Sequence, residues 1–209
     1  MYRDESIEHY LDDAAAKRPT PGGGSISALA AALAASMSEM TANFTVGRKK
    51  DEAAEARIRE LLDDVGDCRA ALLELVDRDV AAYGAVDDAF GMPKESDEQK
   101  AARRKALDEA MRGAMESPLE VMRQAARVGR IAAELTETGN RNLITDAGVS
   151  AVLAEAACSA ARLNVEINLK FLKAPDLARE TRAEMDELCE TARECREKAV
   201  EKTYAYLKG

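Results

Sequence analysis

The sequence has no tryptophan, one histidine and few aromatic residues, and these gaps restrict both its architecture and its chemistry. Only 4% of its 209 residues are aromatic, so alanine and leucine must fill most of any core, which favours closely packed helices. The single histidine, His9, excludes a zinc site built from several histidines and disfavours a serine–histidine–aspartate triad. We expect His9 to be a surface or packing residue.

Paired cysteine motifs and net positive charge are also missing. The four cysteines show no CxxC spacing, and the opening MYRDESIEHYLDD is too charged for a secretory signal, so we expect free thiols and a cytoplasmic location. A net charge of −9 argues against a nucleic-acid partner, because such a partner is bound by neutralising its phosphates. No membrane span is predicted, because the longest apolar segment, 26–42, is interrupted by Ser36, Ser38, Glu39 and Thr41.

Apolar residues recur at helical spacing along nearly the whole chain. No segment alternates polar and apolar residues for long, and hairpin dipeptides are missing. The pattern predicts an all-α protein, a single domain over 1–209 that forms a bundle of about seven helices, with long antiparallel members. The predicted helices are 5–17, 25–47, 51–90, 97–116, 117–138, 146–173 and 176–207.

Capping signals set several of these boundaries. Ser96 and Gln99 form a capping box at the start of one helix. Ser117 precedes a proline and has a glutamate three residues later, which predicts that a further helix starts there. Gly139 is expected to end that helix in the left-handed conformation.

The segment PTPGGGS, residues 19–25, stands directly before the alanine-rich run ISALAAALAASM. A helix N-terminus carries unpaired N–H groups and partial positive charge, and glycines let a ligand approach the backbone. The segment is therefore either a cradle for an anion, a carboxylate or a carbonyl oxygen, or a tight entry turn capped by Ser25. It is neither a phosphate-binding P-loop nor, without a preceding strand, a dinucleotide fingerprint.

Two pairs of polar residues lie four apart in apolar surroundings. Asp79 and Tyr83 share one helix face, and Asn164 and Asn168 share another. Each pair is either a buried hydrogen-bonding pair or part of a site.

Helix lengths rank these candidates by position. If 25–47 and 51–90 form an antiparallel hairpin, Asp79 and Tyr83 return to the glycine segment. Lys49 then lies at the far end of the hairpin, and reaches that site only across a subunit interface or through a long ligand. About 27 Å of helix separates Asp146 from Asn164, so these two residues cannot contact one reacting atom.

Five motifs, PTPGGGSISALAAALAASM, NFTVGRKK, DRDVAAYGAVDDAFGMPK, GNRNLITDAGVSAVL and LNVEINLK, occur in this order over about residues 5–172. Together they resemble the cyclodeaminase/cyclohydrolase family of folate enzymes. The resemblance implies an all-helical fold, a homodimer or larger assembly, a tetrahydrofolate substrate and no metal or organic cofactor. By position, the family-like residues are Pro21, Gly22, Gly23, Gly24, Ser25, Asn43, Lys49, Lys50, Asp79, Tyr83, Asn140, Asp146, Asn164 and Asn168.

For this residue set, which the resemblance supplies, we hypothesise the following roles. Asp79 would accept a proton or stabilise positive charge, and Tyr83 would orient it or a water. Asp146, the third catalytic candidate beside Asp79 and Tyr83, would bind the amino-amide edge of the pterin. Lys49 would bind the glutamate tail, from a neighbouring subunit if needed. The PTPGGGS backbone would hold a polar part of the folate, and the remaining expected substrate contacts are Asn43, Asn140 and Asn164.

This sequence departs from related ones at two positions. Thr145 stands where serine is typical, and it still supplies a hydroxyl group. Asp51 stands where an aromatic residue is typical, which removes a stacking contact next to the lysines.

The activity implied by the resemblance is hydrolysis of 5,10-methenyltetrahydrofolate to 10-formyltetrahydrofolate. It is preferred because the chain has no room for the transferase domain that usually supplies a cyclodeaminase. The alternatives are a formimidoyltetrahydrofolate cyclodeaminase that releases ammonia, and a non-catalytic helical folate-binding or assembly module.

Overall fold

The computed structural model describes residues 1–172 and 174–209, which form six α-helices and no strand. The predicted all-α class is therefore confirmed for these residues. Two short 3₁₀ turns, Tyr2–Asp4 and Arg141–Leu143, precede α1 and α5. The helices are α1 (Ile7–Ala15), α2 (Gly23–Asn43), α3 (Glu52–Gly91), α4 (Asp97–Thr138), α5 (Ile144–Phe171) and α6 (Pro175–Leu207).

The predicted count of seven is wrong because 97–116 and 117–138 form one helix, α4. Ser117 is buried inside α4 and Pro118 follows it within the helix, so the predicted start at this serine does not exist. The capping box of Ser96 and Gln99 is confirmed. Gly139 follows the end of α4, but its φ of −76° and ψ of −177° are extended rather than left-handed.

Both predicted boundaries of α2, its start at 25 and its end at 47, are also corrected. α2 begins at Gly23 after Gly22, so Ser25 lies in the first turn and is not the cap. α2 ends at Asn43, which leaves Lys49 in the following loop. α5 ends at Phe171, and the predicted end near 173 falls on a residue outside those described.

Alanines fill the core, as the shortage of aromatic residues predicts. α2 and α5 pack side by side, and their buried faces consist mostly of alanine and serine, so their backbones approach closely. The hydroxyls of Ser38 and Ser150 lie 2.8 Å apart at this contact. Residues 141–171 are long and apolar enough to cross a membrane. α5, which makes up most of that stretch, instead packs against α2, α4 and α6.

Unequal helix lengths create an open end. α3 has 40 residues and α4 has 42, whereas α2 has 21. At 1.5 Å per residue, α3 is about 60 Å long and α2 about 30 Å, so the α3–α4 hairpin projects beyond the start of α2. α2 begins and α5 ends beside this projection.

Candidate active-site cleft

A cleft of about 380 Å³ lies where α2 begins, beside the last third of α3, the middle of α4 and the end of α5. Its walls mix backbone, carboxylate, amide and apolar groups. The lining includes Thr20, Gly22, Gly23, Gly24, Asp79, Tyr83, Asp87, Phe90, Met111, Ala114, Asn164, Ile167, Asn168 and Phe171.

Asp79 of α3 is held against the first turn of α2. Its Oδ2 accepts a hydrogen bond of 2.9 Å from the backbone N–H of Ser25. Burial raises the pKa of the Asp79 carboxyl, and the hydrogen bond from Ser25 partly opposes this. A methyl group at Gly24 would overlap the carboxylate, so the close approach of the two helices requires glycine there.

Ser25 is buried and joins the helices from below the cleft. Its hydroxyl donates to the carbonyl of Val76 at 2.9 Å and lies 2.9 Å from the hydroxyl of Tyr10. Tyr10 belongs to α1 and is itself buried. The side chain of Ser25 therefore positions Asp79 and the start of α2, and does not line the cleft.

The two asparagines close the opposite wall. Asn164 donates from Nδ2 to the carbonyl of Ala160 at 3.0 Å, and its Oδ1 faces Gly23 so closely that a methyl group on Gly23 would lie 2.8 Å from it. Asn168 donates from Nδ2 to the carbonyl of Ala114 at 2.8 Å. Both amide oxygens remain available to accept hydrogen bonds at the cleft.

The glycine segment supplies donors to the same space. The first N–H groups of a helix have no partner within the helix, and the one of Ser25 binds Asp79. Gly23 and Gly24 share this first turn and line the cleft. Pro21 is buried behind them. Of the two interpretations of PTPGGGS, the geometry therefore favours a ligand-facing wall.

Asp87, Phe90 and Phe171 are among the lining residues that the sequence analysis missed. Asp87 lies two helical turns beyond Asp79, and Tyr83 lies between them, so the three share one face of α3. Phe90 and Phe171, two of only three phenylalanines in the chain, form apolar walls. The rarity of phenylalanine and the i, i+4, i+8 spacing of the polar residues were the available signals.

Four expected site residues lie at the other end of α2 and α5. The backbone N–H of Asn140 donates to Thr45 at 2.9 Å, which places Asn140 beside the end of α2 together with Asn43 and Lys49. Asp146 lies in the first turn of α5, about 27 Å of helix from Asn164. Within one chain, none of these four residues lines the cleft.

No group of three or more His, Cys, Asp or Glu side chains suited to a metal ion occurs in 1–172 or 174–209. A metal-independent reaction remains a prediction.

Comparisons with known proteins place this arrangement in a family. The family model described as formiminotransferase-cyclodeaminase matches residues 6–187. A methenyltetrahydrofolate cyclohydrolase from Methylorubrum extorquens is 38% identical over 90% of each chain. A formimidoyltransferase-cyclodeaminase from Rattus norvegicus is 30% identical over 91% of this chain, which spans only 35% of that protein.

A solved structure has the same fold. The crystal structure of a formiminotetrahydrofolate cyclodeaminase from Thermotoga maritima matches with a TM-score of 0.87 and 26% identity, covering 99% of this chain and 100% of that one. The family match covers most of the chain, and all residues that line the cleft lie within it. The chain therefore belongs to the formiminotransferase-cyclodeaminase family.

Proposed function

We propose that the protein hydrolyses 5,10-methenyltetrahydrofolate to 10-formyltetrahydrofolate. The observation that carries this proposal is the end-to-end similarity to a methenyltetrahydrofolate cyclohydrolase, which covers 90% of both chains. The cleft offers the groups that the reaction needs: one half-buried carboxylate, backbone donors, amide oxygens and apolar walls. These groups suit a ligand that combines a flat ring system with a positive charge.

The chemistry follows from the electrophilic substrate. Water adds its oxygen to the cationic carbon between N5 and N10 and loses one proton to Asp79, giving a neutral tetrahedral carbon. The bond from this carbon to N5 then breaks, N5 takes up a proton and the hydroxyl loses one, leaving a formyl group on N10. One proton is released overall. The carboxylate form of Asp79 favours the substrate cation and serves as the base.

The geometry supports further roles in this proposal. Ser25 holds one oxygen of Asp79, which leaves the other oxygen free for water. Tyr83, four residues further along α3, orients the water or the carboxylate. The amide oxygens of Asn164 and Asn168 accept hydrogen bonds from N–H groups of the substrate.

Two assays test the proposal. Loss of methenyl absorbance is followed after subtraction of spontaneous hydrolysis, and ammonia release is measured from formimidoyltetrahydrofolate. Catalysed methenyl loss supports the proposal. Ammonia release instead indicates the cyclodeaminase activity that the name of the Thermotoga protein states for that relative. Failure of both assays, with folate still bound, indicates a binding module.

A matched pair of variants tests the assignment of the base. Asp79→Asn should reduce kcat about 10²–10⁴-fold, the usual contribution of a positioned general base. Asp87→Asn removes the same charge from the same helix face, but at an exposed position, and should reduce kcat far less. Helical circular dichroism should be unchanged in both variants. Equal activity of D79N and wild type contradicts the assignment.

We infer that a second copy of the chain completes the site. Exposed apolar residues form a stripe on α2 and another on the adjacent α5. We call the two stripes the α2–α5 face, which consists of Ile26, Leu33, Phe44, Val149, Val152, Leu163 and Ile167. Ile167 also lines the cleft, so a partner on this face borders the substrate.

A two-fold symmetric dimer would account for the expected site residues that lie far from the cleft of their own chain. α2 begins and α5 ends at the cleft, while Asp146 and Asn140 lie at the opposite end of both helices. A two-fold axis that lies in the α2–α5 face and crosses the helices places the far end of one copy over the cleft of the other. Asp146, Asn140 and Lys49 would then reach the substrate from the partner subunit.

We further propose that the protein works in the reducing environment of the cytoplasm. All four cysteines are free thiols, and Cys68 and Cys158 are buried.

A further inference from the structure

Ion pairs on the surface of α5 and α6 define the antiparallel register in which the two helices pack. Arg182 of α6 binds Glu166 of α5 at 2.9 Å, and Asp186 of α6 binds Arg162 of α5 at 2.6 Å. Four residues back along α5 therefore match four residues forward along α6, slightly more than one turn of each helix. The same step from Arg162 and Asp186 leads to position 158 on α5 and to the neighbourhood of position 190 on α6.

Two cysteines occupy this next step. Cys158 of α5 is fully buried, and Cys189 of α6 is partly buried against the hydrophobic core that contains Cys158. The register continues beyond them, because fourteen residues back along α5 and fourteen forward along α6 the hydroxyl of Thr203 donates to the carbonyl of Ile144 at 3.3 Å. The thiol of Cys158 donates a hydrogen bond to the sulfur of Cys189. The two sulfurs are therefore direct neighbours across the helix contact.

The surroundings of the pair make one thiol acidic and keep the other protonated. The hydrogen bond from Cys158 lowers the pKa of the Cys189 thiol, burial opposes this, and a hydrogen bond from Arg162 lowers the pKa further. The hydrogen bond to Cys189 raises the pKa of Cys158, and burial adds to the rise. The nearby carboxylates are Glu155, which faces Cys158, and Asp186, which faces Cys189 but is paired with Arg162. Cys189 is therefore the nucleophile of the pair.

The other two cysteines provide matched comparisons. Cys195 lies on α6 and is partly buried, as Cys189 is, but burial raises the pKa of its thiol. Cys68 of α3 is buried, as Cys158 is, and burial raises its pKa to about 11. Thiol reactivity follows thiolate character and exposure, so Cys189 should react faster than the other three thiols.

We infer that Cys189 and Cys158 form a peroxide-reactive site, in which Cys189 attacks the peroxide and Cys158 resolves the product as a disulfide between α5 and α6. The thiolate of Cys189 attacks one oxygen of hydrogen peroxide and the O–O bond breaks. Cys189 becomes a sulfenic acid, and the departing hydroxide combines with the proton that Cys189 lost. The sulfur of Cys158 then attacks the sulfur of Cys189, the S–O bond breaks, and the second hydroxide leaves as water with the proton of Cys158. The two sulfurs lose two electrons, which reduce the peroxide to two molecules of water.

The inference is independent of the proposed function, because neither Cys158 nor Cys189 lines the cleft. A dithiol reductant reverses the reaction by exchange with the disulfide. The site therefore responds to the balance between peroxide and thiols.

Two measurements on the wild-type protein test the site. Limiting iodoacetamide should label Cys189 about tenfold faster than Cys195, because the two are similarly exposed and differ in thiolate content. After equimolar hydrogen peroxide, the intact chain should lose the mass of two hydrogen atoms, and nonreducing peptide mapping should find Cys158 joined to Cys189 within one chain. Dithiothreitol should reverse this change. Equal labelling of Cys189 and Cys195, or a bridge between any other pair of cysteines, overturns the inference.

Variants separate the roles of the two thiols. Cys158→Ser keeps a hydroxyl beside Cys189 but removes the resolving sulfur, so peroxide should leave a sulfenic acid on Cys189 that dimedone traps. Cys189→Ser should give neither the dimedone adduct nor the bridge. Arg162→Gln should slow the labelling of Cys189 about threefold, because the thiolate loses its cation. The control Arg182→Gln removes the other ion pair between α5 and α6 and should leave the rate unchanged.

Three results with these variants would overturn the assigned roles. They are absence of the dimedone adduct from Cys158→Ser, formation of the adduct or a bridge in Cys189→Ser, and equal slowing by Arg162→Gln and Arg182→Gln.

Discussion

Asn168 supplies the hydrogen bond that Pro118 cannot make. In an α-helix the carbonyl of residue 114 accepts from the N–H of residue 118, which proline lacks. Here the Nδ2 of Asn168, on α5, donates to the carbonyl of Ala114 at 2.8 Å. α4 therefore continues through its proline because a neighbouring helix satisfies the freed carbonyl, and this contact lies in the wall of the cleft.

Asn168→Ala should lower the free energy of unfolding by about 1–3 kcal/mol, because the carbonyl of Ala114, to which Pro118 cannot donate, loses its donor on α5. Asn164→Ala is the matched control: its amide donates to the carbonyl of Ala160, which already accepts a bond within α5, so the loss should be smaller. In a Pro118→Ala background the backbone N–H of residue 118 is restored, and Asn168→Ala should cost less. Urea unfolding of the four proteins of this cycle measures the coupling. Additive effects would rule out the compensation.

The pH dependence of kcat/KM should report Asp79. Burial raises its pKa, so the base form is lost at a pH above the ordinary aspartate range, and the acid limb of the profile should lie there. The pH dependence of the free energy of unfolding has the opposite sign to that produced by an ion-paired carboxylate, whose pKa is lowered. A raised folded-state pKa stabilises the fold below the unfolded-state pKa, and this contribution disappears as pH rises through the folded value.

Asp79→Asn should therefore gain stability relative to wild type as pH rises through the Asp79 pKa. Thermal unfolding between acidic and neutral pH measures the difference. A difference in unfolding temperature between the two proteins that does not change with pH contradicts the raised pKa of Asp79 and therefore burial as its cause.

Gly24→Ala should displace the Asp79 carboxylate, because the added methyl group overlaps it. Misplacing a reacting group by about 1 Å can reduce turnover about 100-fold, and an effect of this size is expected. Gly22→Ala is the control: the nearest atom to its added methyl group is the carbonyl oxygen of Pro19 at 3.8 Å, an ordinary contact. Steady-state kinetics of both variants decide the matter, and equal losses would show that glycine serves only the turn.

Counting residues along helices predicted much of this site. Helix rise alone brought Asp79 and Tyr83 to the glycine segment and kept Asp146 away from Asn164, because α2, α3 and α5 are regular. The predicted helix boundary at Ser117 was wrong because capping signals are local. The hydrogen bond from Asn168 that keeps α4 continuous comes from another helix. Phe90 and Phe171 were missed because their exposure depends on how far α3 and α4 project beyond α2, which no local pattern encodes.

The α2–α5 face predicts a dimer that one charge should break. Leu33 is 52% exposed at the middle of α2, and Leu33→Asp would bury a carboxylate at the interface. Leu207→Asp places the same charge on an equally exposed leucine, 56% accessible, at the end of α6. Light scattering after size-exclusion chromatography should show a monomer for L33D and a dimer for L207D. Retention of the dimer by L33D excludes this face as the interface.

Mixing two defective variants tests whether the site is shared between subunits. Asp79→Asn damages the cleft of its own chain, whereas Asp146→Asn would damage the cleft of its partner. A heterodimer of the two variants then holds one site with both aspartates intact, and random exchange of subunits should restore about a quarter of wild-type activity. If both aspartates serve the same chain, every site in the mixture lacks one of them and no activity returns. Activity is measured after subunit exchange, and a mixture of D79N with Gly24→Ala serves as the control, because each of these two changes damages the cleft of its own chain and no intact site can form.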